Sequence, residues 1–345
     1  MTNSHNDLNN DVFADAARQV LADQCTPQVV RAIEAGGNAA PETTALWNQL
    51  EETGLADAML SEEQGGAGLG LGEVFGVLEQ CGAHALPLPL ADTLLIRALL
   101  AEAGIDAPKS RSVFARGTLT ADGGVHCALV RHARVAQSVL VQAGEQCRLL
   151  GLQELEISAQ ALALDAGVRW SAAQWQAAPV VAVPADVRTL QAAVVAAQMA
   201  GALKTVFDRT LQYANERQQF GRPIGKFQAI QHQLAVMSEH VFAARMAAQL
   251  GCSGAGCTPD LLRVATGKAR CSQAALAVSE TAHAIHGAIG FTEEYDLQLF
   301  TRLLHAWRQT AGSEGYWQNV AGAALLAHDG LTLDLIRRIT DVETV

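Results

Sequence analysis

Glu216-Arg217-Gln218-Gln219-Phe220-Gly221-Arg222-Pro223-Ile224-Gly225-Lys226-Phe227-Gln228-Ala229-Ile230-Gln231-His232-Gln233-Leu234-Ala235-Val236-Met237 is the stretch on which the reading of this chain turns. It reads as the end of one helix, a turn held by Gly221 and Pro223, and the start of another helix. Arg217 offers a rigid guanidinium fork suited to a diphosphate, and Phe220 sets a flat aromatic face beside it. Downstream, Phe227, Ile230, Leu234, Met237, Val241, Ala244 and Ala248 alternate steps of three and four, which is one stripe of a helix. Upstream, a helical run covers about residues 187–217.

Working outward, Gly251, Gly254 and Gly256 close the helix after the turn. Thr258-Pro259 then predicts a new helix start, with threonine as cap and proline at the first helical position, running as far as Gly287. A last helix places Leu297, Phe300, Leu304, Trp307 and Ala311 on one face. Long helices with short connections predict an antiparallel bundle. The first third is helical as well: Ala45, Leu46, Trp47 and Leu50 lie at helical spacing before Gly54. Val74, Val77, Leu78 and Cys81 resume it after a glycine-rich loop over 61–70, and residues 94–103 form one more helix. From about 113 to 183 the character changes. Ala128-Leu129-Val130, Val139-Leu140-Val141 and Val180-Val181-Ala182-Val183 are short apolar runs between Gly and polar residues, as in strands of a small sheet.

The bulk properties narrow the function. Half of the 345 residues are hydrophobic and 17% are charged, so a sizeable core is expected. A net charge of −11 with dispersed Lys and Arg argues against nucleic acid as a partner. The seven cysteines are odd in number, lack a Cys-x-x-Cys pair, and read as reduced, mostly buried thiols of a cytoplasmic protein. The N-terminus is polar through Asp11 and shows no secretory pattern, and the longest apolar stretch, 192–203, is too short to span a bilayer. No membrane insertion is expected.

Other motifs favour plain structural readings. The glycines at 65–70 follow no apolar strand and precede no Gly-Lys-Ser/Thr, so they predict a turn and not a nucleotide loop. His283 and His286 lie three apart without a matching carboxylate or cysteine, so packing or capping is expected and no metal site. There is no Gly-x-Ser-x-Gly.

As a block, residues 216–237 resemble the signature of the acyl-CoA dehydrogenase family. Leu46 to Gly82 is similar to that family's N-terminal helical domain, with Glu62-Glu63-Gln64-Gly65-Gly66 in the place of its Pro-Glu-x-x-Gly-Gly loop. His286-Gly287-Ala288-Ile289-Gly290-Phe291-Thr292 resembles its glycine-aromatic turn, and Arg302 to Glu314 its closing segment. The resemblance implies a mainly α fold with a small β domain: an N-terminal helical domain over 1–107, a reduced middle β-sheet domain over 108–183, and a C-terminal antiparallel four-helix bundle over 184–345 that carries the flavin and dimer interface.

It also implies FAD as cofactor, with Arg217, Phe220, Gln228, Gly287 and Ser313 as cofactor-binding residues, an acyl-CoA substrate, and an electron-transfer flavoprotein-type acceptor. The family's ring-binding Thr-Glu-x-x-x-Gly-Ser-Asp stretch and tryptophan segment are missing. So is the base: the usual glutamate position falls on Ala311, the alternative position is about Ala192, and the glutamine that precedes the glycine turn is replaced by Ala284. Glu280, Glu293, Glu294 and Glu314 are the nearby acids. What a chain gives to a neighbour's flavin is kept, and what it needs for its own is lost. The expectation is therefore a subunit of a heteromeric α,β-dehydrogenase acting on a bulky acyl-CoA. It resembles the short degenerate chains of bacterial steroid side-chain degradation, with a paralogous subunit supplying the base and the ring site. A self-sufficient homomeric dimer or tetramer with a relocated base, a non-catalytic scaffold, and a flavin monooxygenase are the alternatives.

Overall fold

The computed structural model describes residues 3–153, 157–254 and 256–341. The helices are α1 (Asn3–Gln24), α2 (Pro27–Gly36), α3 (Pro41–Glu52), α4 (Phe75–Ala83), α5 (Leu90–Glu102), α6 (Ala172–Ala177), α7 (Val187–Glu216), α8 (Gln228–Cys252), α9 (Leu261–His286), α10 (Leu297–Gln309), α11 (Glu314–Leu326) and α12 (Thr332–Thr340). The strands are β1 (Ser112–Leu119), β2 (Val125–Val130), β3 (Ser138–Ala143), β4 (Gln146–Gly151), β5 (Ile157–Ala159) and β6 (Ala166–Trp170). Two compact units result. One comprises Met1–Val77, Leu86–Gln191 and Gly254–Thr258, and the other Leu78–Ala85, Ala192–Ser253 and Pro259–Val345.

In the first unit, α3 buries Leu46, Trp47 and Leu50 and ends before Gly54, whose φ of +72° is the left-handed geometry glycine supplies without strain. The 61–70 loop is structural, as its sequence predicts: a Cβ on Gly66 would stand 2.2 Å from the Leu60 carbonyl oxygen. α5 starts at Leu90, earlier than its periodicity suggested, because Pro89 serves as its N-cap. Its Arg97 is 1% exposed and pairs with Glu51 at 2.5 Å and Asp57 at 2.8 Å, so the buried cation is compensated.

The sheet runs β4-β3-β1-β2-β6-β5, with β1 and β3 parallel and the other pairings antiparallel. Val113, Val125, Val139, Val141, Val168 and Trp170 fill its apolar face. The expected strand over 180–183 does not form. Val180 makes one isolated bridge to Arg148, and prolines at 179 and 184 deny the segment a ladder. The preceding residues instead make α6, closed by a Ser171–Gln174 capping box.

One buried titratable group gives this unit a pH signature. His132 has a left-handed backbone (φ +53°), and burial, helped by the Arg131 charge, pushes its imidazole down to about 3. The folded value lies below the ordinary 6.5, so protons prefer the unfolded chain and stability is lost as pH falls from 6.5 towards 3. Asp92 and Asp165, raised by burial, work in the opposite sense. His132→Asn keeps a residue tolerant of positive φ and removes only the imidazole's contribution. Stability of the wild type should then fall more steeply than that of the variant, by about 1.4 kcal/mol per pH unit, in denaturant unfolding across that window. Parallel curves would refute this.

In the second unit, close packing rests on small residues. Ala192, Ala193, Ala196, Ala197, Ala200 and Ala202 of α7 are fully buried. α7 is long and apolar enough to cross a membrane by composition, but 83% of that apolar window is buried inside the protein. α9 begins at Leu261 and not at Thr258-Pro259: the Asp260 carboxylate accepts from the N–H groups of Leu262 (2.9 Å) and Arg263 (3.0 Å), so the proline stays outside the helix. α10 stops at Gln309, because Thr310 turns to extended backbone, so Ala311 leaves the apolar face assigned to it. All seven cysteines are buried, and none of them is in a disulfide.

Candidate functional site

The turn after α7 is bracketed by two backbone bonds: Arg217 N–H donates to the Tyr213 carbonyl, and Ile224 N–H to the Arg217 carbonyl, both at 2.8 Å. Between them, Gln218–Gln219 pair with Arg222–Pro223 as a minimal hairpin. Its tip is Phe220-Gly221, at φ +50° and +79°. A phenylalanine in the left-handed region costs about 1–2 kcal/mol of backbone strain. Phe220 is also 91% exposed, so the chain gains little burial from it. Strain and exposure together mark a segment shaped for something other than its own folding. Phe227 meets Phe220 edge-on at 6.2 Å, and the Arg222 guanidinium lies 4.2 Å over the Phe227 ring.

A small apolar cluster draws the neighbouring helix ends together. Ala214, Ile224, Leu234 and Ile285 are buried in it, with Phe207, Tyr213, Phe227 and Ile230 around them. The end of α7, the hairpin, the start of α8 and the end of α9 therefore converge. Tyr213 locks the last of these: its ring stacks on His286 at 4.4 Å, and its hydroxyl donates to the His286 carbonyl at 3.3 Å. Gly287 follows as the α9 cap, at φ +65° and exposed.

At this end of the unit, Arg217 is exposed, and its guanidinium has no ion-pair or hydrogen-bond partner among the described residues. Gln228 is exposed as the first residue of α8, whose N-cap Phe227 offers no side-chain acceptor. An uncapped helix start with N–H groups unused, an available guanidinium and an exposed ring can together hold an anion joined to a flat group.

The two histidines pack, as their sequence context predicts. His286 Nδ1 lies 2.8 Å from the Ala282 carbonyl, so it carries the proton, and Nε2 accepts from the Tyr295 hydroxyl at 3.3 Å. Burial lowers its basicity and keeps the ring neutral. His283 meets Thr301 Oγ1 at 3.0 Å and stacks on Phe291 at 4.2 Å. No cluster of three or more His, Cys, Asp or Glu able to hold a metal occurs among the described residues.

Ser313 is not part of this assembly. It caps α11 by accepting from Tyr316 N–H at 3.4 Å, in a turn anchored to Lys268 of α9. Lys268 and His286 are separated by about 27 Å along α9, at 1.5 Å per residue. Within one chain, Arg217, Phe220, Gln228 and Gly287 therefore share one end of the bundle and Ser313 lies towards the other.

Among the described residues, no acid considered as a base is poised at the Ser313 end. Ala311 sits in the turn itself at φ +56°. The Glu314 carboxylate is gripped by Arg308 Nε at 3.0 and 3.1 Å, and that ion pair holds it below the usual carboxylate range. Glu280, Glu293 and Glu294 are exposed. Ala192 is fully buried on α7, and the adjacent Gln191 donates to the Phe114 carbonyl at 3.2 Å. The Tyr213–His286–Tyr295 cluster and the Phe227–Arg222 stack were not foreseen. Their only sequence signal was Tyr213 one helical turn before Arg217.

Comparison with known proteins agrees with this architecture. The acyl-CoA dehydrogenase N-terminal domain matches residues 9–116, and the acyl-CoA dehydrogenase C-terminal domain matches residues 189–326. Acyl-CoA dehydrogenase IpdE2 of Mycobacterium tuberculosis is 29% identical over 301 residues, covering 86% of this chain and 91% of its own. The protein of that name from Mycolicibacterium smegmatis is 30% identical over 268 residues, covering 77% and 83%. Among solved structures, a variant of the Tcur3481-Tcur3483 steroid ACAD superposes with a TM-score of 0.79 at 26% identity, over 92% of this chain and 98% of that one.

Proposed function

The chain belongs to the acyl-CoA dehydrogenase family, and from that premise we propose that it is one subunit of a heteromeric, FAD-dependent enzyme that introduces an α,β double bond into a bulky acyl-CoA. FAD, when bound, accepts the β-hydride of the thioester. The observation that carries the reading is the division of labour between the two ends of the bundle. One end offers Arg217, Phe220, Gln228 and Gly287, and the other has a turn with alanine where the family keeps its base.

The residues at the first end suit the diphosphate and adenine half of the cofactor. Arg217 presents two parallel N–H groups to phosphate oxygens, the uncapped start of α8 adds backbone N–H groups, and Phe220 supplies a face for stacking. Gln228 can donate its amide, and Gly287 leaves room for close approach because no Cβ stands there. Removal of the α-proton falls to a carboxylate of a paralogous subunit, since Ala311 cannot take a proton and Glu314 is neutralised by Arg308. The likeness to a steroid ACAD described by two component names supports a polycyclic acyl group and a two-chain assembly. Electrons would leave to an electron-transfer flavoprotein-type acceptor.

The test is dye-coupled oxidation of acyl-CoA thioesters, short and steroid-derived, by the chain alone and co-produced with paralogous acyl-CoA dehydrogenase chains. Turnover should require the partner. In the active assembly, Glu280→Gln, Glu293→Gln, Glu294→Gln and Glu314→Gln should each keep the rate within about twofold, as solvated or ion-paired surface acids do. A loss of about a hundredfold in any one of them would identify a base in this chain and replace the heteromeric reading by a self-sufficient enzyme.

A further inference from the structure

The second unit ends in two helices that bury little of their apolar surface. α11 spans 13 residues and buries only Trp317, and α12 spans 9 and buries only Leu335. Across their junction, Leu326 is 89% exposed, Leu331 71%, Leu333 51% and Ile336 49%. Single exposed leucines are ordinary. Four large apolar side chains left in water between residues 326 and 336 make a patch of the kind that marks an interface.

The patch is held in place by polar bonds. Arg263, in the first turn of α9, grips the end of α12: its Nε donates to the Ile339 carbonyl at 3.0 Å and its Nη2 to the Asp341 carbonyl at 2.8 Å. Nη1 of the same guanidinium donates to Ser253 Oγ, next to the end of α8, at 3.2 Å. A helix as short as α12 does not persist by itself in water. It is fixed to the bundle through C-terminal carbonyls, which a helix leaves unbonded, while most of its apolar side chains stay outside. Folding alone gives no reason for that arrangement. Arg263 and His286 are separated by about 34 Å along α9, at 1.5 Å per residue, so this face lies at the opposite end of the bundle from Arg217, Phe220, Gln228 and Gly287.

We propose that the α11–α12 face is where two copies of this chain meet, across a twofold axis. The charges around the patch select a second copy as the occupant. Asp334 and Arg337 lie one turn apart on α12, both exposed, and their 3.9 Å separation is the long limit of an ion pair, so each is available to another chain. A short helix carrying both signs beside apolar residues is complementary to itself after half a turn. Antiparallel α12 helices set Asp334 of each copy opposite Arg337 of the other, with Leu333 and Ile336 packed between them. An anionic lipid surface would instead meet the exposed Asp329, Asp334 and Asp341 beside the two arginines, 337 and 338. The proposal goes beyond the functional reading above and does not depend on it.

The test is sedimentation equilibrium of the full chain, produced alone, over a range of concentrations. The wild type should show a monomer–dimer equilibrium. Leu333→Glu combined with Ile336→Glu, both at exposed positions, should keep the far-ultraviolet circular dichroism and raise the dimer dissociation constant by about a hundredfold or more. Asp334→Arg or Arg337→Asp alone brings like charges together at two symmetry-related places and should weaken the dimer by about tenfold. An equimolar mixture of those two variants should form a mixed dimer of wild-type affinity, a rescue that only a contact between two copies at these positions gives. Should the chain alone not stay in solution, native mass of its assembly with the paralogous chain decides: two copies of this chain in the wild type and one in the double glutamate variant. A wild type that stays monomeric, a double glutamate variant that pairs like the wild type, or a mixture no better than its components would each overturn the proposal. None of these outcomes bears on the flavin reading, because no flavin enters the measurement.

Discussion

Arg217→Ala is expected to strip the assembled enzyme of its flavin while leaving the fold of this chain untouched. The two halves of that expectation have separate grounds. The Arg217 side chain is exposed and has no hydrogen-bond or ion-pair partner among the described residues, so its removal opens no cavity and orphans no buried group. A bidentate guanidinium–phosphate contact is charge-assisted, and an exposed contact of this kind is worth about 1.5–3 kcal/mol in all. Losing it weakens flavin retention by about ten- to a hundredfold. Arg217→Lys should restore little, because a point ammonium cannot match two phosphate oxygens at once. Flavin retained after dialysis, read beside the thermal midpoint, checks both halves. A midpoint that falls together with the flavin would assign Arg217 a structural role.

The second large effect is on stability, at Gly201. A Cβ there would stand 1.9 Å from the Glu79 carbonyl oxygen and 2.7 Å from Ala83 N. Across the same contact, a Cβ on Gly82 would meet the Gln198 carbonyl oxygen at 1.7 Å. Both obstacles are backbone, so no rotamer change relieves them, and α4 and α7 must move apart. Thr205 Oγ1 donates to the Ala83 carbonyl at 2.8 Å and would be pulled away as well. Alanine gains about 1 kcal/mol of helix propensity over glycine, yet Gly201→Ala should destabilise by about 3 kcal/mol or more, at the upper end of overpacking costs. At Gly322 on α11 a Cβ would meet nothing within 4 Å, so Gly322→Ala should be neutral or stabilising by up to about 1 kcal/mol. Denaturant unfolding of the two variants should diverge in sign. Equal midpoints would show that α4 and α7 do not approach as closely as these glycines require.

Local patterns carried much of the fold. The apolar stripe from Phe227 to Ala248 gave α8, and the cap at Gly287 marked the end of α9 within the residue. Where two local signals competed, the sequence could not rank them. Thr258-Pro259 reads as the helix start, but Asp260 two residues on, which that reading passes over, is the cap because its carboxylate reaches two N–H groups. Trp307 to Ala311 continues a four-residue step, yet the chain leaves the helix between them, since the turn is set by Lys268 and Trp317 and not by periodicity. The apolar run at 180–183 resembles a strand until its flanking prolines are weighed.

The residues of the candidate site are named by the sequence, but their arrangement is not. Arg217, Phe220 and Gln228 fall within a few residues of one another, but Gly287 joins them only through the Tyr213–His286 stack, a long-range contact with no local signature. Ser313 lies one bundle length away, which no motif could state. Lys268 reads in sequence as an ordinary solvated lysine, and only its burial reveals the turn it holds.

The central claim is that this chain lends Arg217 to a flavin whose ring is housed by another subunit. Flavin absorbance of the chain purified alone, after desalting with excess FAD, tests it most directly. The expected result is a colourless chain that yields a stoichiometric flavoprotein only on assembly with its paralogous partner. A lone chain that holds one FAD per protomer and oxidises an acyl-CoA would contradict it.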